Sequence, residues 1–373
     1  AMANVITPVH SFMKIFDGAL GDKAYAVQQT RDGGYILTGL TNSTLPADSG
    51  NTWLIKTDVE GNIIWDKTFG VSGDRGYSVL QTEDGGYILL GMNYGFGGES
   101  WLIKTDEFGE IEWEETLGRS FSHLQSLQPT SDGGYVLASP LFLVKTNAYG
   151  KIEWNKGPYL YNCTFYDEGH KVLQTRDGGY ILVSSSSREN PGDSDIVLIK
   201  TDANGNSQWV QYYGGDYDEV AASVVQTVDG GYVIAGKTLS FGAGSSDFWL
   251  IKTDAYGNME WDKTFGGTGA EQCFDMQQTS DGGYILVGYS LSVSGSLHCP
   301  WAVKTDALGN IEWDKFVGGY TGFSSFSSVD KTNDGGFILA GVISSTEVNP
   351  WTSRDVLLVK IDADGNAPDT PTP

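Results

Sequence analysis

The chain has 373 residues, 50 of them Gly, and 12% are aromatic, a ring content too high for a disordered or linker-like polymer. Its formal charge is −24, a surface that repels nucleic acid and anionic lipid and so excludes DNA, RNA and membrane-surface binding. No run of 18 or more apolar residues occurs, so no segment reads as a bilayer-spanning helix.

Ala1 to Asn4 shows no repeat feature and reads as a trimmed end. Phe12 to Gly18 aligns with Trp261 to Gly267 and reads as a strand separated from the rest of its unit. A unit then recurs. Asp-Gly-Gly-(Tyr/Phe) begins at Asp32, Asp84, Asp132, Asp177, Asp229, Asp281 and Asp334, in steps of 52, 48, 45, 52, 52 and 53 residues. Lys-Thr-Asp with a Gly three residues on begins at Lys56, Lys104, Lys200, Lys252 and Lys304, and in altered form at Lys145 and Lys360. A Trp follows seven residues after that acid or amide at Trp65, Trp113, Trp154, Trp209, Trp261 and Trp313. Three markers with one period define a repeat architecture.

Each unit predicts four short strands. In the second unit strand A is Ser78 to Thr82, strand B Tyr87 to Leu90, strand C Trp101 to Thr105 and strand D Ile111 to Trp113. Asp84-Gly85-Gly86 makes the A–B turn, where Gly takes positive φ at little cost, and Asp106 to Glu110 makes the C–D turn. The apolar positions favour Ile, Val, Leu and aromatics, and no 3.6-residue stripe appears, so almost no helix is expected. Four strands per unit, repeated radially, predict β-propeller blades.

After Gly365-Asn366 the chain turns Pro-rich without supplying a last strand D, and Phe12 to Gly18 supplies it, with Phe12 in the Trp position. The expectation is an all-β, seven-bladed β-propeller of four-stranded antiparallel blades, closed by the N-terminal strand, with residues 1–366 as a single domain. Residues 367–373 read as a Pro/Thr-rich tail or the start of an extended linker, beyond which the natural protein continues.

The spacing Asp254-Gly257-Trp261 resembles the tryptophan-docking repeat of quinoprotein-like propellers, with a turn one residue shorter. The full unit, from Asp-Gly-Gly-Tyr-Ile-Leu to Asn-Ile-x-Trp, is similar to repeats of secreted and surface-attached bacterial and archaeal propellers, over roughly residues 10 to 366. That resemblance implies an extracellular or cell-surface location and says little of activity, because propellers host many unrelated roles. Quinoprotein dehydrogenases also carry a quinone, a calcium ion and commonly a vicinal Cys-Cys disulfide. No Cys-Cys pair occurs here, so that chemistry is not carried over.

Most conspicuous residues have a scaffold explanation. Ten of the 11 Trp occupy the strand D position or a strand C position (Trp53, Trp101, Trp249, Trp301), leaving only Trp351 outside the repeat. The turn acids cap their own hairpins. Asp362 to Asn366 has a short calcium-loop look but lacks the remaining ligands, and His123 with His170 lacks a third zinc ligand, so no metal or organic cofactor is expected. No Ser-His-Asp or Cys-His arrangement, phosphate loop or arginine cluster for a carboxylated sugar can be argued. Cys273 and Cys299 are placed just ahead of strands A and C of one unit, where a disulfide is geometrically open, with Cys163 left over. Asn42-Ser43-Thr44 and Asn162-Cys163-Thr164 are glycosylation sequons.

The A–B and C–D turns are uniform and share one end; the D–A and B–C connections share the other and vary strongly in length. Variable loops on a rigid ring are where binding usually resides. The leading expectation is therefore a monomeric, more often non-catalytic binding or scaffold propeller, recognising a protein or glycan through that variable end. The alternatives are a carbohydrate-active hydrolase or lyase on the same end, with Asp216, Asp218, Glu219 and Glu271 as the acids to inspect, or a structural spacer of a longer surface protein. The candidate binding residues are Trp351, Tyr217, Arg75, His123, His170, Phe323, Asp216 and Asp218, with no catalytic residue assigned.

Overall fold

The computed structural model describes residues 11–16, 21–42, 50–70, 73–93, 98–118, 124–139, 142–157, 171–187, 194–293, 297–317, 322–344 and 354–368. These residues form seven four-stranded antiparallel sheets arranged as a β-propeller, and no helix occurs among them. Blade 2 is representative: strand A is Arg75–Gln81, B is Tyr87–Asn93, C is Glu99–Thr105 and D is Ile111–Thr116. Strand B of this blade is buried at every position, because both of its faces pack on neighbouring blades. Strand D alternates exposed and half-buried residues, as an outermost strand with one wet face should.

The Asp-Gly-Gly turn does more than reverse the chain. Its first glycine, Gly85, has φ +95°, and a Cβ on the second, Gly86, would collide with the Thr105 carbonyl and the Lys104 ammonium. The second glycine is thus required by a buried lysine. Lys104 Nζ sits 2.9 Å from the Asp84 carboxylate, donates to the Thr105 carbonyl at 2.9 Å and reaches Glu112 at 2.7 Å. The same lysine-to-turn-aspartate pair recurs in every blade at 2.8–2.9 Å, through Lys56, Lys104, Lys145, Lys200, Lys252, Lys304 and Lys360. Hairpin capping alone understates these aspartates, since each also neutralises a buried ammonium.

Blades are joined by the strand D tryptophans. The ring of Trp65 occupies the space over Gly109 in the next blade's C–D turn, and Trp113, Trp154, Trp209, Trp261 and Trp313 repeat this on Gly150, Gly205, Gly257, Gly309 and Gly365. Trp65 also packs edge-on against Tyr87 at 5.8 Å between ring centroids. Phe12 closes the circle: its ring lies over Gly61 and edge-on to Tyr35 at 5.7 Å. Its strand, Phe12–Phe16, pairs antiparallel with Arg354–Ile361, in register from Phe12–Lys360 to Phe16–Val356. The seventh blade is therefore shared by both ends of the chain.

Strand A departs most from its predicted bounds. In blade 2 it begins three residues early, and in five blades it carries a β-bulge, as where Gly76 and Ser78 pair with consecutive residues and Tyr77 is left over. Cys273 and Cys299 lie inside strands Glu271–Gln278 and Cys299–Thr305 rather than ahead of them, and no disulfide joins them. Strand B separates them, and two strand spacings (~9.5 Å) exceed the ~7 Å Cα reach of a disulfide.

Two tests follow from the scaffold. Phe12→Ala should cost about 3–5 kcal/mol, the usual penalty for truncating a buried ring, read as a fall in Tm; an unchanged Tm would mean that ring closure does not depend on this strand. Lys360 has only Asp334 and the Ile361 carbonyl as described partners, whereas Lys304 has Glu312 besides Asp281. Asp334→Ala should therefore cost on the order of 3–5 kcal/mol, and more than Asp281→Ala. Equal losses would deny the ammonium its role.

Acid should act on the same pairs. At Asp84 and Asp281 burial opposes ionisation, but the threonine hydroxyl, lysine ammonium and glycine amide more than offset it, giving about 2. Asp132 and Asp229 also lie at about 2, with the threonine hydroxyl as the largest influence. Against these, burial raises Asp247 and Asp330. Depressed carboxylates stabilise the fold above their unfolded value of ~3.9, and that contribution is lost as pH falls through the folded value. Tm should be nearly flat above pH ~5 and drop between pH ~4 and ~2; a Tm that rises over that interval would contradict the pairing.

Candidate functional site

The inner strands of all seven blades surround an axial cavity of about 460 Å³, and residues at the starts of strands A and the ends of strands B line it. It therefore opens at the end that carries the D–A and B–C connections. The bulges decide what faces it. The residue seven before each Asp-Gly-Gly is Tyr25, Tyr77, Gln125, His170, Ala222, Phe274 or Ser327. All but His170, which lies outside the described residues, line the cavity. A bulged residue has no partner across the ladder, so its side chain is freed from the face alternation of the strand. Six blades thus present one such residue each to the channel, five of them from a bulge.

The next position along is more uniform and its exceptions matter. Ala26, Ser78, Ser126, Ser223 and Ser328 occupy it in five blades, but Lys171 and Asp275 in the other two. Those two exceptions meet across the channel, Nζ to carboxylate at 3.2 Å. Asp275 also accepts from the Ser223 and Ser328 hydroxyls at 3.2 and 3.4 Å and from the Val329 amide at 3.2 Å. One carboxylate thereby ties blades 4 to 7 together at the channel wall.

Above it the walls are aromatic. Tyr25 and Tyr77 face each other with centroids 5.3 Å apart. On blades 6 and 7, Phe274 and Tyr289 are 6.0 Å apart, and His298 stacks on Tyr289 at 4.0 Å and contacts Phe323 at 3.8 Å. The Arg354 guanidinium lies 4.5 Å over the Phe323 ring. Burial, aided by Arg354, pushes His298 down to about 4, so it is a neutral ring at neutral pH. Its buried Nδ1 has no partner within the described residues. Lys23 and Arg75 complete the rim.

The predicted site residues divide. Arg75 and Phe323 line the cavity. Tyr217 is 63% exposed at the same end but outside the cavity, its amide fixed by the Ser240 hydroxyl at 2.9 Å. Asp216 is exposed beside it, and Asp218 accepts from the Ser194 amide at 2.8 Å, which makes it a loop tie. Trp351, His123 and His170 lie outside the described residues. The alternative acids Glu219 and Glu271 are fully buried and occupied. Glu219 holds Gly215 N and Thr238 Oγ1, and Glu271 holds Gly267 N with Ser290 and Ser292 Oγ, at 2.7–3.0 Å. They brace D–A connections instead of facing the channel. Asp362 binds the Asp364 and Asn366 amides like every other C–D turn, and no cluster of metal-ligating residues occurs among the described residues.

Sequence reading missed Tyr25, Tyr77, Phe274, Lys171, Asp275 and Arg354. The available signal was departure from the repeat on strand A, which the bulge makes functional.

A second surface deserves comparison. At the opposite end the third C–D turn residue is Phe108, Tyr149, Tyr256 or Leu308 in four blades, each 63–72% exposed. Uniform turns therefore still carry protruding apolar side chains.

Cys273 and Cys299 bear on neither surface, since both are buried, and burial pushes the Cys273 thiol far up. A thiol reagent should modify these two only after denaturation. Rapid native labelling of either, or a peptide linking them in mass spectrometry, would contradict their placement.

No protein-family model matches the chain, and no curated protein matches it. Among solved structures it resembles the WD40 domain of Neurospora crassa Pan2, with TM-score 0.56 and 12% identity over 90% of this chain and 88% of that one. It also matches BamB from Moraxella catarrhalis (TM-score 0.47, 11% identity, 91% and 85% coverage) and a Bacteroides caccae protein of unknown function (0.45, 12%, 75% and 93%). At such identity the Pan2 likeness establishes the propeller fold and nothing more about this chain.

Proposed function

We propose that the protein is a non-catalytic binding propeller, extracellular or at the cell surface, that recognises a protein or glycan through its variable end with the channel mouth at the centre of the site. One observation carries this reading: in a ring whose turns, lysines and tryptophans repeat almost without exception, the bulged inner-strand positions do not repeat, and they line the 460 Å³ cavity. That volume falls in the range of ordinary ligand sites. Scaffold needs explain sameness between blades and leave such variety unexplained. The engagement of Glu219 and Glu271 within their own loops supports binding over glycoside hydrolysis. The extracellular or surface location rests on the repeat's resemblance to secreted propellers. Tyr217 and Asp216 extend the site along the rim. No helix among the described residues is long and apolar enough to cross a membrane.

The exposed Phe108, Tyr149, Tyr256 and Leu308 favour a second reading, in which the partner docks on the turn end. Variants separate the two once a partner is in hand from a glycan array or a surface-extract pull-down. Phe274→Ala and Tyr217→Ala should each weaken binding about 30-fold, the effect of losing a ~2 kcal/mol aromatic anchor, while Phe108→Ala and Tyr256→Ala change it little. The reverse pattern would move the site to the turn end.

A further inference from the structure

We propose that the turn end of blades 1 to 3 is a second docking surface, additional to the channel mouth and independent of it, for a cationic protein segment in which Lys or Arg alternates with apolar residues. The first ground is exposed apolar surface that the scaffold does not require. In the C–D turns the aspartate accepts the backbone amide two residues on, at 2.9 Å for Phe108, 2.8 Å for Tyr256 and 2.9 Å for Asn204. The turn needs only that N–H, and blade 4 makes it with a polar side chain. Phe108 and Tyr149 nevertheless project there, 63% and 71% exposed. The first residues of strand D in these blades, Ile63, Ile111 and Ile152, are exposed too, where blade 4 has Ser207. Contacts between blades bring these side chains into one arc. Trp65 and Lys67 of blade 1 lie against the turn that carries Phe108, and Trp113 and Glu115 of blade 2 against the turn that carries Tyr149.

Charge selects the occupant. The A–B and C–D turns of blades 1 and 2, residues 31–34, 58–62, 83–86 and 106–110, hold eight carboxylates and one cation, Arg31. Lysines meet three of the eight, Asp32, Asp84 and Glu110, and the Arg31 guanidinium donates to the Glu83 carbonyl at 2.8 Å. Negative charge therefore stays in excess around Phe108, with Glu60 and Glu107 on its own and the preceding C–D turn. The corresponding turns of blades 5 and 6 hold only four carboxylates, so blades 1 and 2 carry the stronger field. A second copy of this chain, anionic lipid and nucleic acid share that sign and are repelled. A cationic segment suits every feature at once. Its Lys or Arg heads approach the carboxylates and lie over the Phe108 and Tyr149 ring faces, while its apolar residues cover the isoleucines. Protruding aromatics set among such contacts are the usual anchors of a protein interface.

The test is fluorescence anisotropy of the full chain with a labelled peptide of alternating Arg and Leu, beside its Glu and Leu counterpart, at ~150 mM salt. The cationic peptide should bind at least about tenfold more tightly than the anionic one. Any cation is drawn to a chain of charge −24, so the place of binding is read from uncharged substitutions. Phe108→Ser combined with Tyr149→Ser should weaken the cationic peptide about tenfold or more. Val228→Ser, at an 86% exposed apolar residue of the same end, should leave it within about twofold, and Tm should be unchanged in both variants. Glu60→Gln with Glu107→Gln should weaken binding and reduce its salt dependence. Equal binding of the two peptides, a silent Phe108 and Tyr149 pair, an equal loss from Val228→Ser, or no binding at ~1 mM would overturn the proposal. So would self-association in sedimentation that Phe108→Ser removes, which would give the surface to a second copy. The channel mouth is judged separately by Phe274→Ala on its own partner, so either surface can fail while the other stands.

Discussion

An ammonium group buried in every blade is the constraint on which this ring is built. Each repeat places a lysine on strand C with its side chain 3–8% exposed, and a charge so placed costs several kcal/mol unless paired and hydrogen-bonded. The partners are drawn from three directions: the A–B turn aspartate, the carbonyl of the following residue and, in four blades, a strand D glutamate. Meeting those demands fixes the turn. The aspartate must sit where its carboxylate reaches the lysine, and the second glycine must lack a Cβ because the lysine and the strand C carbonyl fill that space. The pair thereby links strands A, B, C and D of one sheet in a single register. A buried ion pair is weak evidence for stability as such, and its better-attested use is to specify one arrangement over its neighbours.

With every blade locked the same way, the tryptophan-on-glycine contacts need only repeat a single geometry around the ring, and Phe12 on Gly61 completes it. A closed ring of equal blades leaves an axial channel whose lining is set by the innermost strand. That strand is also where the repeat relaxes, through a bulge in five blades. The bulge separates two jobs within seven residues: the outer half of strand A keeps its ladder and its serine or glutamine ties to the next blade, while the bulged position is free to vary. Tyr25, Tyr77 and Phe274 are the result, and Lys171 with Asp275 shows the same freedom one residue later.

The period, the four strands of each unit, the turn glycines and the shared seventh blade were legible because each rests on local chemistry repeated many times. The alignment of Phe12 with the tryptophans was enough to foresee the pairing of Phe12–Phe16 with Arg354–Ile361. The site was only partly legible. Arg75 and Phe323 could be placed by their position in a D–A connection, but Arg354 belongs to strand C of another blade and reaches the same cavity only through closure. Lys171 and Asp275, 104 residues apart, meet because inner strands two blades away face each other across the axis. The Lys-Thr-Asp motif was visible as a marker, yet its lysine went unexplained, since burial of a charge is not a property of spacing. Glu219 and Glu271 misled in the opposite sense: acids near a variable loop suggested chemistry, and they are the loop's own anchors.

The account as a whole holds that repeated residues build the ring and that non-repeating inner-strand residues serve its ligand. Its most direct test is a triple variant, Tyr25→Ser, Tyr77→Ser and Phe274→Ser, which gives three blades the small polar residue that Ser327 already supplies in the seventh. Binding to the captured partner and thermal unfolding would be measured on the same preparation. The account predicts a Tm within a few degrees of the parent chain and binding reduced by about 100-fold or more. A collapsed Tm would make these residues part of the scaffold, and undiminished binding would remove the channel mouth from function.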